Sequence, residues 1–181
     1  MSQLPVFPPL LTGVAAGPAN PVAIAVAQAE RGVEAGLLVW SQTEERLRAA
    51  LVLAPETHLE EAMAGIVACA VAMQNALGVL APPETSVHLD WTGELRLNGA
   101  HVGGLRMICP ETDAKAEPLW MVVALDLTLR LPDNLEPGQT PNWTALNQEG
   151  CGEVDGITLL ETWARHSLLW LNGLDDPAGR S

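Results

Sequence analysis

The stretch Val87–Met107, VHLDWTGELRLNGAHVGGLRM, decides the fold. Val87 and Leu89 alternate with His88 and Asp90, the period-two pattern of a half-buried strand. Thr92-Gly93 and Asn98-Gly99 stand where two-residue turns belong, and Asn-Gly is a strong hairpin signal because both residues tolerate positive φ. Between the turns, Leu95 and Leu97 take one face while Glu94 and Arg96 take the other. Gly103 and Gly104 follow inside the third strand. Glycines weaken a strand, so this pair asks for a bulge or for the close approach of another backbone or a ligand. The spacing predicts three strands joined by two tight turns.

Working outward, residues 1–19 are rich in Pro and Gly and read as an extended lead-in. Asn20 offers a helix cap, Pro21 fits the first turn and Gly32 fits the end, which predicts a short apolar helix between them. Gly36–Trp40 and Leu47–Leu53 read as strands separated by the polar segment 41–46, and Pro55 stops the second. Thr57-His58-Leu59-Glu60 has the form of a capping box opening a helix to about residue 80. Residues 62–73 are almost wholly apolar, and their alanine content, with Gln74 and Asn75 close by, favours a core helix over a membrane span. Trp120–Leu129 reads as a long strand. Asp126 within it is either a buried carboxylate or an outward-facing residue of a half-exposed strand. A loop covers 132–143, and Asp155 caps a last helix over Ile157–Leu171 that Gly173 ends; residues 173–181 read as a loose tail.

The chain has 181 residues, of which 48 % are hydrophobic, so a single packed domain over residues 20–172 is expected. Its formal charge is −13, from 22 acidic against 9 basic residues, and Lys115 is the one lysine. That balance argues against nucleic acid or an anionic membrane as partner, because both demand clustered Lys and Arg. No basic run serves as a polyphosphate clamp. Cys69, Cys109 and Cys151 are odd in number and widely spaced, which suggests reduced thiols in a cytoplasmic protein rather than a zinc site or a disulfide framework. The N-terminus lacks a basic region ahead of its apolar residues, so no secretory signal is expected.

The central stretch resembles the core motif of the biotin/lipoate protein ligase family, a KWPND-type segment followed by a hairpin and then a lysine before (V/L)-(G/A)-G-(I/L). Asp90-Trp91-Thr92-Gly93-Glu94 stands in the first place and His101-Val102-Gly103-Gly104-Leu105 in the second. Thr144–Gly150, Val154-Asp155 and the last helix resemble the end of the ligase core. The resemblance implies an α+β fold, a mixed and mainly antiparallel sheet with packed helices, as in biotin ligases and class II aminoacyl-tRNA synthetases. It also implies an acid ligand of the biotin, lipoate or fatty-acid kind, ATP and Mg²⁺ as cofactors, transfer of the acid to a lysine of a biotinyl or lipoyl carrier domain, and room for a homodimer.

Two departures bear on that activity. Where the family carries a long glycine- and arginine-rich loop for the adenylate phosphate, this chain has only Ser41–Arg46, with Arg48 just beyond and two glutamates inside. His101 stands at the position of the catalytic lysine. A histidine donates a hydrogen bond but is largely neutral at pH 7 without acidic neighbours. The residue pattern itself predicts no metal site. By the resemblance, His101 takes the catalytic place, and Arg46, Trp91, Glu94, Gly103, Gly104 and Leu105 are the substrate-binding candidates, with Trp91 packed at a pocket wall. The alternatives are a solvated ion pair for Arg46, an exposed hairpin carboxylate for Glu94 and a structural role for His101. Function is therefore expected to be either a divergent acid–protein ligase or a non-catalytic relative that binds a small acid or a protein partner.

Overall fold

A computed structural model describes residues 3–136 and 138–175. The chain forms a seven-stranded sheet with helices on both faces. The strands are β1 (Thr12–Ala15), β2 (Leu37–Gln42), β3 (Arg46–Leu53), β4 (Val87–Leu89), β5 (Glu94–Leu97), β6 (Ala100–Ile108) and β7 (Met121–Thr128). Their spatial order is β1-β2-β3-β7-β6-β5-β4, antiparallel throughout except for the parallel pair β1 and β2. This is the mixed, mainly antiparallel α+β architecture expected. The helices are α1 (Pro21–Glu30), α2 (Leu59–Ala62), α3 (Ala64–Leu80) and α4 (Gly156–Asp175).

Side-chain alternation divides the sheet into two faces. Leu47, Ala49 and Leu51 of β3 and Val123, Leu125 and Leu127 of β7 point into the larger core, against α3 and α4. Ala50 and Val52 of β3 and Val122 of β7 point the other way, toward α1. The two long helices pack on one another, and Trp163, wholly buried, donates its indole N–H to the Cys69 carbonyl across that contact at 2.9 Å. By length and composition the Leu59–Leu80 segment could cross a membrane, yet one side of α3 (Cys69, Ala72, Met73, Ala76, Leu77) is built into the core.

Several local expectations need correction. Within the extended lead-in, Thr12–Ala15 also joins the sheet edge as β1, which the sequence did not single out. The capping box does not close. His58 stands at the cap without a side-chain bond, and the amides of Leu59 and Glu60 donate instead to the carbonyls of Ala116 and Ala114 in the loop before β7. The helix also breaks at Met63 into α2 and α3. The first hairpin loop is longer than two residues. Gly93 N–H returns to the Asp90 carbonyl, Asp90 N–H to that of Glu94, and Gly93 takes φ 91°. The second turn is the two-residue kind, with Asn98 and Gly99 both at positive φ, as a type I′ turn requires. At the C-terminus Asp155 caps α4 by accepting from the Thr158 amide at 2.9 Å, and the helix runs past Gly173 to Asp175. The rest of the expected tail, 176–181, lies outside the described residues.

Candidate functional site

On the α1 face, the helix covers β2, β3 and β7 and leaves β6 and β5 open. A cleft of about 200 Å³ forms there. Its walls come from Asn20 and Val22 at the helix start, from Arg48, Arg106 and Asp126 on the sheet, and from Thr92, Gly93 and Glu94 of the first hairpin. Asn20 folds its side chain back to accept from the Val22 amide at 3.0 Å, and Pro21 brings no N–H. Gly104 and Ala124 leave the floor low between the charged residues.

Strand register explains the gathering of charge. Arg48 pairs with Asp126, Asp126 with Gly104 and Gly104 with Glu94, so one row of the sheet crosses four strands. Arg106 sits beside Ala124, one step along the same face. Arg46 grips Asp126 with two nitrogens, Nε to Oδ1 at 3.0 Å and Nη2 to Oδ2, and both side chains remain about half exposed. Asp126 is thus the outward-facing, half-exposed carboxylate. Arg96 binds Glu94 at 3.0 Å. Among the described residues, Arg48 and Arg106 have no ion pair or side-chain hydrogen bond. The cleft therefore carries two compensated pairs and two uncompensated cations on a chain of net charge −13.

The sequence-derived candidates are only partly united here. Glu94 and Gly104 line the cleft, and Leu105 contributes to its lining although the residue is packed in the core at 5 % exposure. Arg46 stands beside the cleft, engaged with Asp126. Trp91 is not packed at a wall, because its loop carries it out to 96 % exposure. The neighbouring Asp90 carboxylate caps its own loop, accepting from Thr92 N–H and Thr92 Oγ1, and these bonds hold its pKa below the ordinary 3.8.

His101 lies one rung further along β5 and β6. Leu95 pairs with Gly103 but Arg96 pairs with His101, so Val102 is the extra residue of a bulge. That bulge drops Val102 into the core and turns His101 toward the face of Arg96. The imidazole meets Trp143 edge-on at 4.3 Å, and Nδ1 is 3.8 Å from Glu94 Oε2. The glycine pair has a backbone reason. A Cβ on Gly103 would stand 2.1 Å from the Asp126 carbonyl oxygen, and one on Gly104 would stand 2.7 Å from that of Gly93.

Arg106 went unseen in the sequence because nothing local distinguishes an arginine on an exposed strand position. Its signal is the pairing of β6 with β7, which is not a sequence pattern. A second, larger groove of about 800 Å³ lies on the opposite side, lined by Leu53, Leu168 and Leu171 with Glu56 and Glu61. Among the described residues its lining holds no cation for a carboxylate.

The amides of the β2–β3 turn point inward and are not presented to a nucleotide phosphate. The β2–β3 turn is closed by Thr43, whose amide donates to the Arg46 carbonyl at 2.9 Å and whose Oγ1 accepts from the amides of Glu45 and Arg46. Those amides are thus taken, and Arg46 is engaged elsewhere. Among the described residues no three His, Cys, Asp or Glu side chains come together as a metal site.

Residues 7–180 match the biotin/lipoate A/B protein ligase family. The chain belongs to that family. A biotin protein ligase-like protein of unknown function from a Silicibacter species is similar at 51 % identity, with TM-score 0.89 over 96 % of this chain and 75 % of that one. A variant biotin protein ligase from Aquifex aeolicus, solved with biotin, has 13 % identity and TM-score 0.68, covering 94 % of this chain and 74 % of its own. The Aquifex aeolicus ligase with biotin and ATP has 14 % identity and TM-score 0.62, covering 90 % and 70 %. These two likenesses establish a shared fold. No curated protein matches the chain.

Proposed function

We propose that this ligase-family protein binds a small carboxylic acid in the cleft between the start of α1 and the sheet, without activating it. The observation that carries the reading is the pair of uncompensated arginines, Arg48 and Arg106, in a cleft whose other charges are matched. Arginine presents two parallel N–H groups to a carboxylate, and such charge-assisted bonds are roughly twice as strong as neutral ones. Glu94 and His101 border the acid site, and His101 has no ammonium to offer where the family's lysine stands.

A second reading is the family activity itself, ATP-dependent transfer of a biotin-, lipoate- or fatty-acid-like group to a carrier-protein lysine. The match over residues 7–180 favours it, and the closed β2–β3 turn opposes it unless a partner brings the cations. Calorimetry separates the two. Biotin, lipoate, octanoate and short-chain acids are titrated into the purified protein, each with and without Mg-ATP. Acid binding indifferent to Mg-ATP is the expected outcome. Binding strengthened by Mg-ATP, or carrier labelling by the protein alone, overturns the non-activating reading. Absence of binding by every acid overturns the cleft as an acid site.

A further inference from the structure

The two free cations narrow the class of acid, and this step rests on the acid-binding reading above. Arg48 and Arg106 lie on strands separated by β7 alone and are offset by two residues along it, opposite Asp126 and Ala124, so their backbones stand about 12 Å apart. Between them the face carries only Ala124 and Gly104 beside the paired Asp126. Both guanidiniums can swing over this low floor from opposite sides. Local bookkeeping gives zero for Arg46 with Asp126 and zero for Arg96 with Glu94, which leaves two positive charges to be met.

The space available is equally specific. At about 200 Å³ the cleft falls below the ~300–1,000 Å³ usual for drug-sized ligands. An alkyl or ring-bearing tail entering it would lie against guanidinium groups, whose hydration it would strip without replacing their hydrogen bonds. Val22 and Ala124 are the apolar side chains that face the cleft, for Leu105 and Leu125 line it from the sheet while packing into the core. A monocarboxylate would engage one arginine and leave the other to solvent, half-buried Arg48 or exposed Arg106.

We propose that the cleft takes a compact dianion, a short-chain dicarboxylate, with one carboxylate on Arg48 and the other on Arg106. The bridging ligand then converts two repelling cations into two charge-assisted pairs, each able to be bidentate. A short linker between the carboxylates spans the Gly104–Ala124 floor.

Calorimetry of the full chain tests this with glutarate, butyrate, octanoate, biotin and inorganic phosphate as probes. Glutarate is expected to bind roughly tenfold or more tighter than butyrate, the worth of one added charge-assisted contact. Arg48→Gln and Arg106→Gln should each bring glutarate down to the butyrate level, while Arg130→Gln, whose exposed partner is Asp133, should leave it unchanged. Circular dichroism of each variant confirms folding. Tighter binding of octanoate or biotin that ignores Arg106→Gln overturns the dianion while sparing the acid site. Phosphate binding more tightly than glutarate overturns the two-centred ligand in favour of a single-centred one. Silence from all five probes overturns both readings together.

Discussion

Replacing Gly103 with alanine should strike the sheet at its most crowded point. The added methyl would sit 2.1 Å from the Asp126 carbonyl oxygen and 2.9 Å from Leu127 Cα, both backbone atoms of the central strand β7. Neither can retreat without opening the ladder in which Gly103 pairs with Leu127 and Gly104 with Asp126. Gly103 also holds φ 155°, a conformation that side chains resist. Overpacking of this kind costs about 1–3 kcal/mol, and a residue held in a sparsely populated backbone region about 1–3 kcal/mol more. The two together give about 4 kcal/mol. For a chain of this size each kcal/mol moves Tm by about 2–4 °C, so a fall of roughly 8–16 °C is expected. Urea denaturation followed by far-ultraviolet circular dichroism supplies the free energy. Gly99→Ala is the comparison, because Gly99 has φ 89° but no atom within 4 Å of its would-be Cβ. It isolates the conformational part, about 1–2 kcal/mol. If Gly103→Ala costs no more than Gly99→Ala, the explanation of the glycine by backbone crowding is refuted, and ligand approach regains its claim on that position.

Other consequences can be checked with less effort. Trp163→Phe removes the bond to the Cys69 carbonyl and part of a wholly buried ring, so chemical denaturation should show a loss of about 1–3 kcal/mol; an unchanged midpoint would deny that bond any role. Burial pushes the Cys69 thiol up to about 12, so thiol alkylation of the native protein at pH 8, read by peptide mass spectrometry, should modify partly exposed Cys109 first and leave Cys69 intact. Native labelling of Cys69 at the rate of Cys109 would contradict the packing of α3. Asp90 has a folded pKa below its unfolded 3.8, so its contribution to stability is complete above 3.8 and is lost as pH falls through the folded value. Carbon-13 titration of its carboxyl should give a midpoint under 3.8, and Thr92→Val should return it upward; a midpoint unmoved by that change would rule out Thr92 as the cause.

The hairpins and helix ends were legible where their chemistry is local. Asn98-Gly99 needs positive φ at both positions and takes it, and Asn20, Pro21 and Asp155 act within a turn of where they stand. The failures share a non-local cause. β1 has all four residues exposed and is a strand only because β2 runs alongside it. The capping box was displaced by the carbonyls of Ala114 and Ala116, more than fifty residues away, which meet the same amides. The acid site was half visible. Glu94 and Gly104 came with the central motif, whereas Arg48 and Arg106 belong together only through the register of β3, β7 and β6. Sequence spacing carries no trace of such a row, since its members come from strands far apart along the chain.

Glu149 joins parts of the molecule that the chain itself keeps apart. One carboxylate oxygen receives Asn98 Nδ2 at 2.8 Å and the other Thr144 Oγ1 at 2.7 Å, while the backbones of His101 and Trp143 pair beside them. The segment from Trp143 onward is thus moored to the β5–β6 hairpin, and α4 is moored separately by its packing on α3. A nick between Asp133 and Asn134 would sever the covalent path while sparing both moorings. The two pieces should reassociate when expressed apart, which makes that loop a natural seam for a split reporter or for new chain termini.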